Sequence, residues 1–140
     1  MEKEIKSTAP SLELLHDESR KWLSELEFLA DEITFFSRLL NSYVFEPDTP
    51  ALFEDLQEHQ KDLAQAEKKC KALKKQLQEH ENQLSGLLDL ANTTLDAAYK
   101  DKHQYLKEDM ELCLAEFQRL KHGMFRYGQT ILKKRHRKDQ

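Results

Sequence analysis

The sequence predicts an all-α protein, an antiparallel three-helix bundle with long, coiled-coil-like helices. The 140 residues include only three glycines and three prolines, too few to supply the turns of a many-stranded sheet. Three long stretches place apolar residues at alternating spacings of three and four, which is the period of a helix with one buried stripe. An all-β fold is therefore excluded, and the 39% of hydrophobic residues argues against a disordered chain.

The first helix is predicted over residues 12–44, after a flexible polar tail at 1–10. Ser11 follows a proline and is a good N-cap for this helix. One stripe of the helix consists of Leu12, Leu15, Ser19, Trp22, Leu26, Leu29, Ile33, Phe36, Leu40 and Tyr43.

Four further apolar residues lie beside that stripe and widen the apolar face of the first helix, namely Leu14, Phe28, Phe35 and Leu39. The packing of three helices does not necessarily bury Phe28, Phe35 and Leu39. A large exposed apolar patch usually marks an interface. We therefore expect these residues to form the interface of a homodimer or of a complex with another protein.

The second helix is predicted over residues 50–91. Thr49 before Pro50 provides an N-cap followed by a proline at the first helical position. Gly86 lies within the apolar stripe, and one glycine costs a helix only about 1 kcal/mol. We therefore expect the helix to continue through it, with a turn at Ser85-Gly86 as the rival. The stripe consists of Leu52, Leu56, His59, Leu63, Ala66, Cys70, Leu73, Leu77, His80, Leu84, Leu87 and Ala91.

The third helix is predicted over residues 94–135, after a turn near Asn92. Thr93 or Thr94 can cap this helix, with Asp96 as a capping-box-like acid. Its stripe consists of Tyr99, His103, Leu106, Met110, Cys113, Phe117, Leu120, Met124, Tyr127 and Ile131.

The third helix ends in a strongly basic stretch at residues 133–138. We expect one domain at 11–135 and a basic C-terminal tail at 136–140. Cations at a helix C-terminus complement the helix dipole. The alternative is contact with an anionic surface or a nucleic acid, although the tail has no interleaved aromatic residues.

The numbering alone predicts a register for the second and third helices. In an antiparallel pair, the numbers of facing residues have a constant sum. A sum of 183 aligns the two stripes and puts the midpoint at the predicted turn. This register sets His80 opposite His103, and Cys70 opposite Cys113.

A candidate metal site follows from this register. The first helix, folded back on the second, brings His16 to the end of the bundle that holds His80 and His103, and Glu13 precedes His16 in a Glu-x-x-His spacing. Helical bundles build zinc and iron sites from inward histidines and carboxylates, so these four residues are candidate ligands. The alternative is a hydrogen-bonded histidine cluster without metal. The full di-iron pattern, which needs a second Glu-x-x-His element, is not present.

The two cysteines form neither a CxxC motif nor a zinc pattern. We expect Cys70 and Cys113 to be free thiols in the core, with a redox-dependent disulfide as the alternative.

The function predicted is that of a non-catalytic interaction or structural module that self-associates. The sequence contains no phosphate-binding glycine loop, Ser-His-Asp set or paired-carboxylate cleft. It has no apolar run long enough to span a bilayer and no apolar signal-peptide stretch, so we expect a soluble cytoplasmic protein. A metal-binding bundle for metal handling or stress is the first alternative, and contact with an anionic surface or nucleic acid through the basic end is the second.

A resemblance is carried by the segment Trp22-Leu23-Ser24-Glu25-Leu26-Glu27-Phe28, together with His16, His80-Glu81, Asn92 and His103. Over about residues 12–136 the chain resembles a set of small, all-helical bacterial proteins of uncharacterised function. Those proteins have comparable W-L-x-x-L-x-F and H-E segments beside two long helices. The resemblance implies an all-α fold and no activity, cofactor or partner.

Overall fold

The computed structural model describes residues 11–89 and 97–139, which form three long helices. Helix α1 spans Leu12–Leu40, α2 spans Pro50–Asp89 and α3 spans Ala97–Asp139, with a short 3-10 helix at Tyr43–Phe45. No strand occurs in these ranges, and the prediction of an all-α, three-helix bundle is confirmed. Over the described residues, no helix combines the length and apolar character that crossing a membrane requires.

Helix α1 begins where its cap predicts and ends earlier than its stripe predicts. Ser11 Oγ accepts a hydrogen bond from the backbone N–H of Leu14 at 3.1 Å, as an N-cap does. The prediction that the helix continues to residue 44 is wrong, because the chain turns after Leu40. Ser42 donates both its hydroxyl (2.8 Å) and its backbone N–H (3.1 Å) to the carbonyl of Leu39. These bonds satisfy the end of α1 locally and start the 3-10 helix.

Helix α2 is continuous through Gly86, as predicted. Thr49 Oγ1 accepts from the backbone N–H of Leu52 at 3.2 Å, which confirms the predicted cap. A turn at Ser85-Gly86 is excluded because α2 runs on to Asp89. The predicted turn near Asn92 lies outside the described residues, as do the cap of α3 and the tail at 1–10.

Helix α3 extends further than predicted. It reaches Asp139, so the predicted helix end at residue 135 is wrong, whereas the basic C-terminal tail at 136–140 stays a prediction. The basic residues form the last turns of the helix, where cations face the negative end of the helix dipole.

Contacts between the helices group the chain into two compact units. The first unit comprises the chain up to Glu27 together with Lys71–Glu111, and the second comprises Phe28–Cys70 together with the chain from Leu112 onward. Each helix contributes a segment to both units. The single domain predicted at 11–135 stays a prediction.

The first unit has a core of predicted stripe residues that encloses three polar side chains. The buried apolar residues are Leu12, Leu15, Trp22, Leu26, Leu73, Leu77, Leu84, Leu106 and Met110. The buried polar residues are Ser19, His80 and His103. Ser19 donates its hydroxyl to the Leu15 carbonyl at 2.8 Å, so this group needs no partner outside its own helix.

The second unit has an aromatic core. The ring of Phe36 packs edge-on against Phe117 and Phe125, with centroids 6.2 and 5.7 Å apart, a favourable geometry for aromatic pairs. Tyr127 donates its hydroxyl to the Phe45 carbonyl at 2.8 Å, which fixes the connection between α1 and α2 onto α3. The other buried residues of this unit are Leu29, Ile33, Leu40, Leu52, Leu63, Cys70, Met124 and Ile131.

Candidate functional site

A buried pair of histidines occupies the core of the first unit. His80 Nε2 lies 3.0 Å from His103 Nδ1, and the side chains are 0% and 5% exposed. This contact confirms that the two residues face each other across α2 and α3, as the register predicts.

The pair continues into a carboxylate on α1. His103 Nε2 lies 3.0 Å from Glu18 Oε1, so Glu18, His103 and His80 form one hydrogen-bonded chain. With both rings neutral, His103 donates to the Glu18 carboxylate and His80 Nε2–H donates to His103 Nδ1. His80 Nδ1 is then a lone pair, buried without a hydrogen-bond partner among the described residues.

Trp22 covers the other surface of His103. The two rings stack with centroids 4.6 Å apart and an angle of 28° between their planes. Glu18 and Trp22 are one helical turn apart on α1 and therefore share a face. One of them meets the imidazole at its edge and the other at its face, which locks the orientation of the ring.

Burial sets the charge state of His80. Desolvation, followed by the influence of His103 and then of Lys102, lowers the pKa of His80 from 6.5 to about 4. His80 is therefore neutral near pH 7, and protonating it in the folded protein is unfavourable.

His16 and Glu13 are not part of the hydrogen-bonded chain described above. His16 Nε2 lies 2.7 Å from Glu81 Oε1, an ion-pair distance at which the ring is not aligned for a hydrogen bond. Glu13 is exposed. Among the described residues, no group of three or more His, Cys, Asp or Glu side chains is arranged to hold a metal ion. Of the four predicted ligands, the structure thus brings together only His80 and His103.

Glu18 is a member of the chain that sequence reasoning missed. The Glu-x-x-His spacing drew attention to Glu13, which lies about 140° around the helix from Glu18. The signal that would have found Glu18 is its place beside two stripe residues, one before Ser19 and one turn before Trp22.

The second unit carries an apolar surface on α1 and α3. Phe28, Phe35 and Phe125 are 66%, 59% and 55% exposed, and Leu132 is about half exposed. The predicted interface residues Phe28 and Phe35 are thus on the surface, whereas Leu39 is half-buried. We call Phe28, Phe35, Leu39, Phe125 and Leu132 the apolar face.

An apolar groove of about 170 Å³ adjoins this face and shares Leu39, Phe125 and Leu132 with it. It is lined by Phe36, Leu39, Leu40, Phe45, Met124, Phe125, Gly128, Gln129 and Leu132. A Cβ atom at Gly128 would lie 3.3 Å from the Phe45 ring, so glycine allows that ring to approach α3 at the groove. Sequence reasoning missed Phe125 and Leu132, whose seven-residue spacing beside the α3 stripe was their signal.

One ion pair joins α1 to α3 beside these aromatic residues. Lys121 Nζ lies 3.0 Å from Glu32 Oε2, and both side chains are about four-fifths buried. The ammonium also lies 5.5 Å from the centroid of the Phe117 ring, within cation–π range. The ion pair of Glu32 with Lys121 is therefore largely shielded from solvent where α1 packs against α3.

The basic end of α3 is tied to the same unit. Lys134 Nζ lies 2.9 Å from Asp48 Oδ1, and Arg135 donates to the carbonyl of Tyr43. These contacts engage part of the basic stretch with the chain itself and leave less of it to bind a nucleic acid or an anionic surface.

The two cysteines of the second unit do not form a disulfide in the part of the chain that the structure describes, and Cys70 is buried while Cys113 is half-buried. Burial, and then the influence of Cys70, raises the pKa of the Cys113 thiol. The alternative of a redox-dependent disulfide stays a prediction.

Comparison with protein-family models, curated proteins and solved structures gives no match to this chain. The resemblance to small bacterial helical proteins therefore stays a prediction, and function is argued from the geometry of these sites.

Proposed function

We propose that this protein is a non-catalytic interaction module that forms a homodimer through the apolar face of its second unit. The observation that carries the proposal is the exposure of Phe28, Phe35 and Phe125 beside an apolar groove. Single exposed apolar residues are ordinary, but a contiguous group of large ones marks a binding surface.

The area of the face suits a dimer. A phenylalanine presents about 150–250 Å² when uncovered, so the three exposed rings offer roughly 350 Å² of apolar surface. Leu132 and Leu39 raise this to roughly 450 Å² per copy, and two copies would remove about 900 Å² of apolar surface from water. A polar rim then brings the total to the 1,000–1,200 Å² or so that a specific interface needs.

A second copy is the occupant that the geometry favours. At 100° per residue, Phe28, Phe35 and Leu39 lie within about 40° of one line along α1, and Phe28 is about 16 Å from Leu39. A two-fold axis near Phe35 would set Phe28 of each copy against the groove of the other. An apolar cavity of about 150 Å³ accepts benzene, so a groove of about 170 Å³ has room for one phenyl ring.

The ion pair of Glu32 with Lys121 gives such a dimer a way to select its register. A two-fold axis near Phe35 brings the two copies of this pair close together. Each carboxylate can then approach the partner's ammonium, and a slipped arrangement sets like charges together.

The proposal that the module is not an enzyme is supported by the polar chain in the first unit. His80 and His103 are 0% and 5% exposed, and His103 already contacts Glu18, Trp22 and His80. A substrate has no route to these imidazoles. A cytoplasmic location is proposed with this function, since the two cysteines of the sequence are too few and too widely spaced to form a disulfide framework.

The test is the oligomeric state as a function of protein concentration. Sedimentation equilibrium of the full chain should show a dimer that dissociates in Phe35→Asp, because the new carboxylate would be buried at the interface without a partner. Leu112→Asp is the matched control: Leu112 is 63% exposed in the same unit and lies about 140° around α3 from Phe125.

The control should dimerise as the wild type does, and circular dichroism should show the same helix content in all three proteins. A wild type that stays monomeric at the highest attainable concentration would overturn the proposal. Equal dissociation of both variants would also count against it, since the effect would then not belong to the apolar face.

A further inference from the structure

We propose that Cys70 and Cys113 form an oxidation site, which hydrogen peroxide converts into a disulfide within one chain. The inference does not depend on dimerisation.

Contacts between α2 and α3 in the second unit place the two cysteines together. Lys69 Nζ lies 3.2 Å from Glu116 Oε2 across the two helices. Cys70 is the next residue after Lys69, and Cys113 lies three residues before Glu116. Both cysteines are thus within one turn of the same ion pair, and both are on the apolar stripes by which these helices pack.

The causes of the raised pKa of Cys113 are consistent with this placement. Ionisation of Cys113 is opposed first by burial, then by Cys70 on α2 and by Glu116 on α3, and it is favoured by Lys69 on α2. An interaction of this kind between the cysteines requires that their sulfur atoms be near each other. Both cysteines lie on packed helices and not in a loop, so their relative position does not depend on a loop conformation.

The unequal exposure of the two thiols assigns their roles. Cys70 is 3% exposed and Cys113 is half-buried, so peroxide reaches Cys113 first. The Cys113 thiolate attacks the O–O bond and becomes a sulfenic acid, with the other peroxide oxygen leaving as water after it takes up a proton. The Cys70 thiolate then attacks the sulfenic sulfur, and the S–S bond forms as the hydroxyl leaves as a second water.

The balance of this reaction is complete. Two thiols together lose two electrons and two protons, and one hydrogen peroxide is reduced to two waters. The raised pKa of Cys113 keeps little thiolate at neutral pH, so the first step should be slow. Cys70 in the core then acts as the resolving thiol, which prevents further oxidation of Cys113.

The experiment uses the full chain, treated with hydrogen peroxide while folded and then alkylated with N-ethylmaleimide in denaturant. The expected product is a monomer that has lost two hydrogens, takes up no N-ethylmaleimide and yields a crosslinked peptide containing both cysteines. Its thermal midpoint should rise by roughly 10 °C, because the bond closes a long loop of the unfolded chain.

Alanine variants of each cysteine are the controls. In Cys70→Ala, oxidation should stop at a sulfenic acid on Cys113, which dimedone traps. In Cys113→Ala, the buried thiol of Cys70 should not react. If either variant fails to fold, the wild-type protein is instead treated with hydrogen peroxide in denaturant. There the two cysteines are no longer held together, so a smaller share of oxidised Cys113 should end in the disulfide within one chain and a larger share in a sulfenic acid that dimedone traps.

Three outcomes would overturn the inference. They are full alkylation of both thiols after peroxide treatment, overoxidation of Cys113 without a disulfide, and crosslinks found only between chains.

Discussion

The buried histidine pair should make this protein sensitive to mild acid. The pKa of His80 falls from 6.5 to about 4 on folding, so the unfolded chain binds more protons than the folded one between these two values. Stability is therefore complete above about pH 6.5 and is lost as the pH falls towards 4. Each unit of pH within this window costs up to about 1.4 kcal/mol, and the whole window costs about 3 kcal/mol.

A loss of about 3 kcal/mol is a large part of the 5–15 kcal/mol or so that stabilises a typical domain. The assay is urea denaturation followed by far-UV circular dichroism at a series of pH values, at one protein concentration. His80→Gln removes the titrating ring and keeps an N–H that can donate to His103. Its free energy of unfolding should fall with acid by about 3 kcal/mol less than that of the wild type.

His122→Gln is the matched control, because His122 is exposed on α3 and should leave the acid response as it is. An equal response in the wild type and in His80→Gln would refute the reasoning. It would mean that the folded protein protonates His80 without cost, for instance because water reaches Nδ1.

Three further predictions concern the ends of the bundle and the apolar face. Truncation after Leu132 removes the ion pair of Lys134 and the hydrogen bond of Arg135 to Tyr43, and it should lower the free energy of unfolding by about 1 kcal/mol, measured by urea denaturation. Truncation after Lys138 keeps both contacts and should change nothing. Phe28→Ala should raise the dimer dissociation constant at least tenfold, as expected for an aromatic anchor, and sedimentation equilibrium would contradict this if the constant stayed the same. Zinc should leave the thermal midpoint unchanged, since His16 faces a carboxylate outside the histidine chain, and a rise of several degrees that a chelator reverses would count against that.

The sequence by itself determined those features of the protein that depend on interactions between residues close together in the chain. The caps at Ser11 and Thr49 were predictable because a hydroxyl bonds to backbone groups only three residues away. The continuity of α2 through Gly86 was predictable for a similar reason, since an unbroken apolar stripe outweighs the small cost of one glycine.

The register of α2 and α3 was also predictable, although its contacts are distant in sequence. The short connection between these helices leaves few ways to align two heptad stripes, and one constant sum satisfied all of them. The contact of His80 with His103 at 3.0 Å follows that sum. Because few residues connect the two helices, a contact between them can be predicted by counting residues along the sequence.

The end of α1 was not predictable from periodicity. The stripe continues to Tyr43, but the hydroxyl and the backbone N–H of Ser42 both bond to the carbonyl of Leu39. A side-chain bond to the backbone competed with the helix, and apolar spacing contains no information on that competition.

The tertiary structure alone decided the partners of α1 and of the end of α3. The spacing of stripe residues shows which face of α1 is buried, but not the angle at which that face meets α2 and α3. In the first unit the packing brings Glu18 rather than Glu13 to His103, and in the second it brings Phe125 of α3 against Phe36 of α1. These contacts join side chains that are 80 or more residues apart in the sequence, so they depend on how the close-packed core is filled and not on the spacing within one helix.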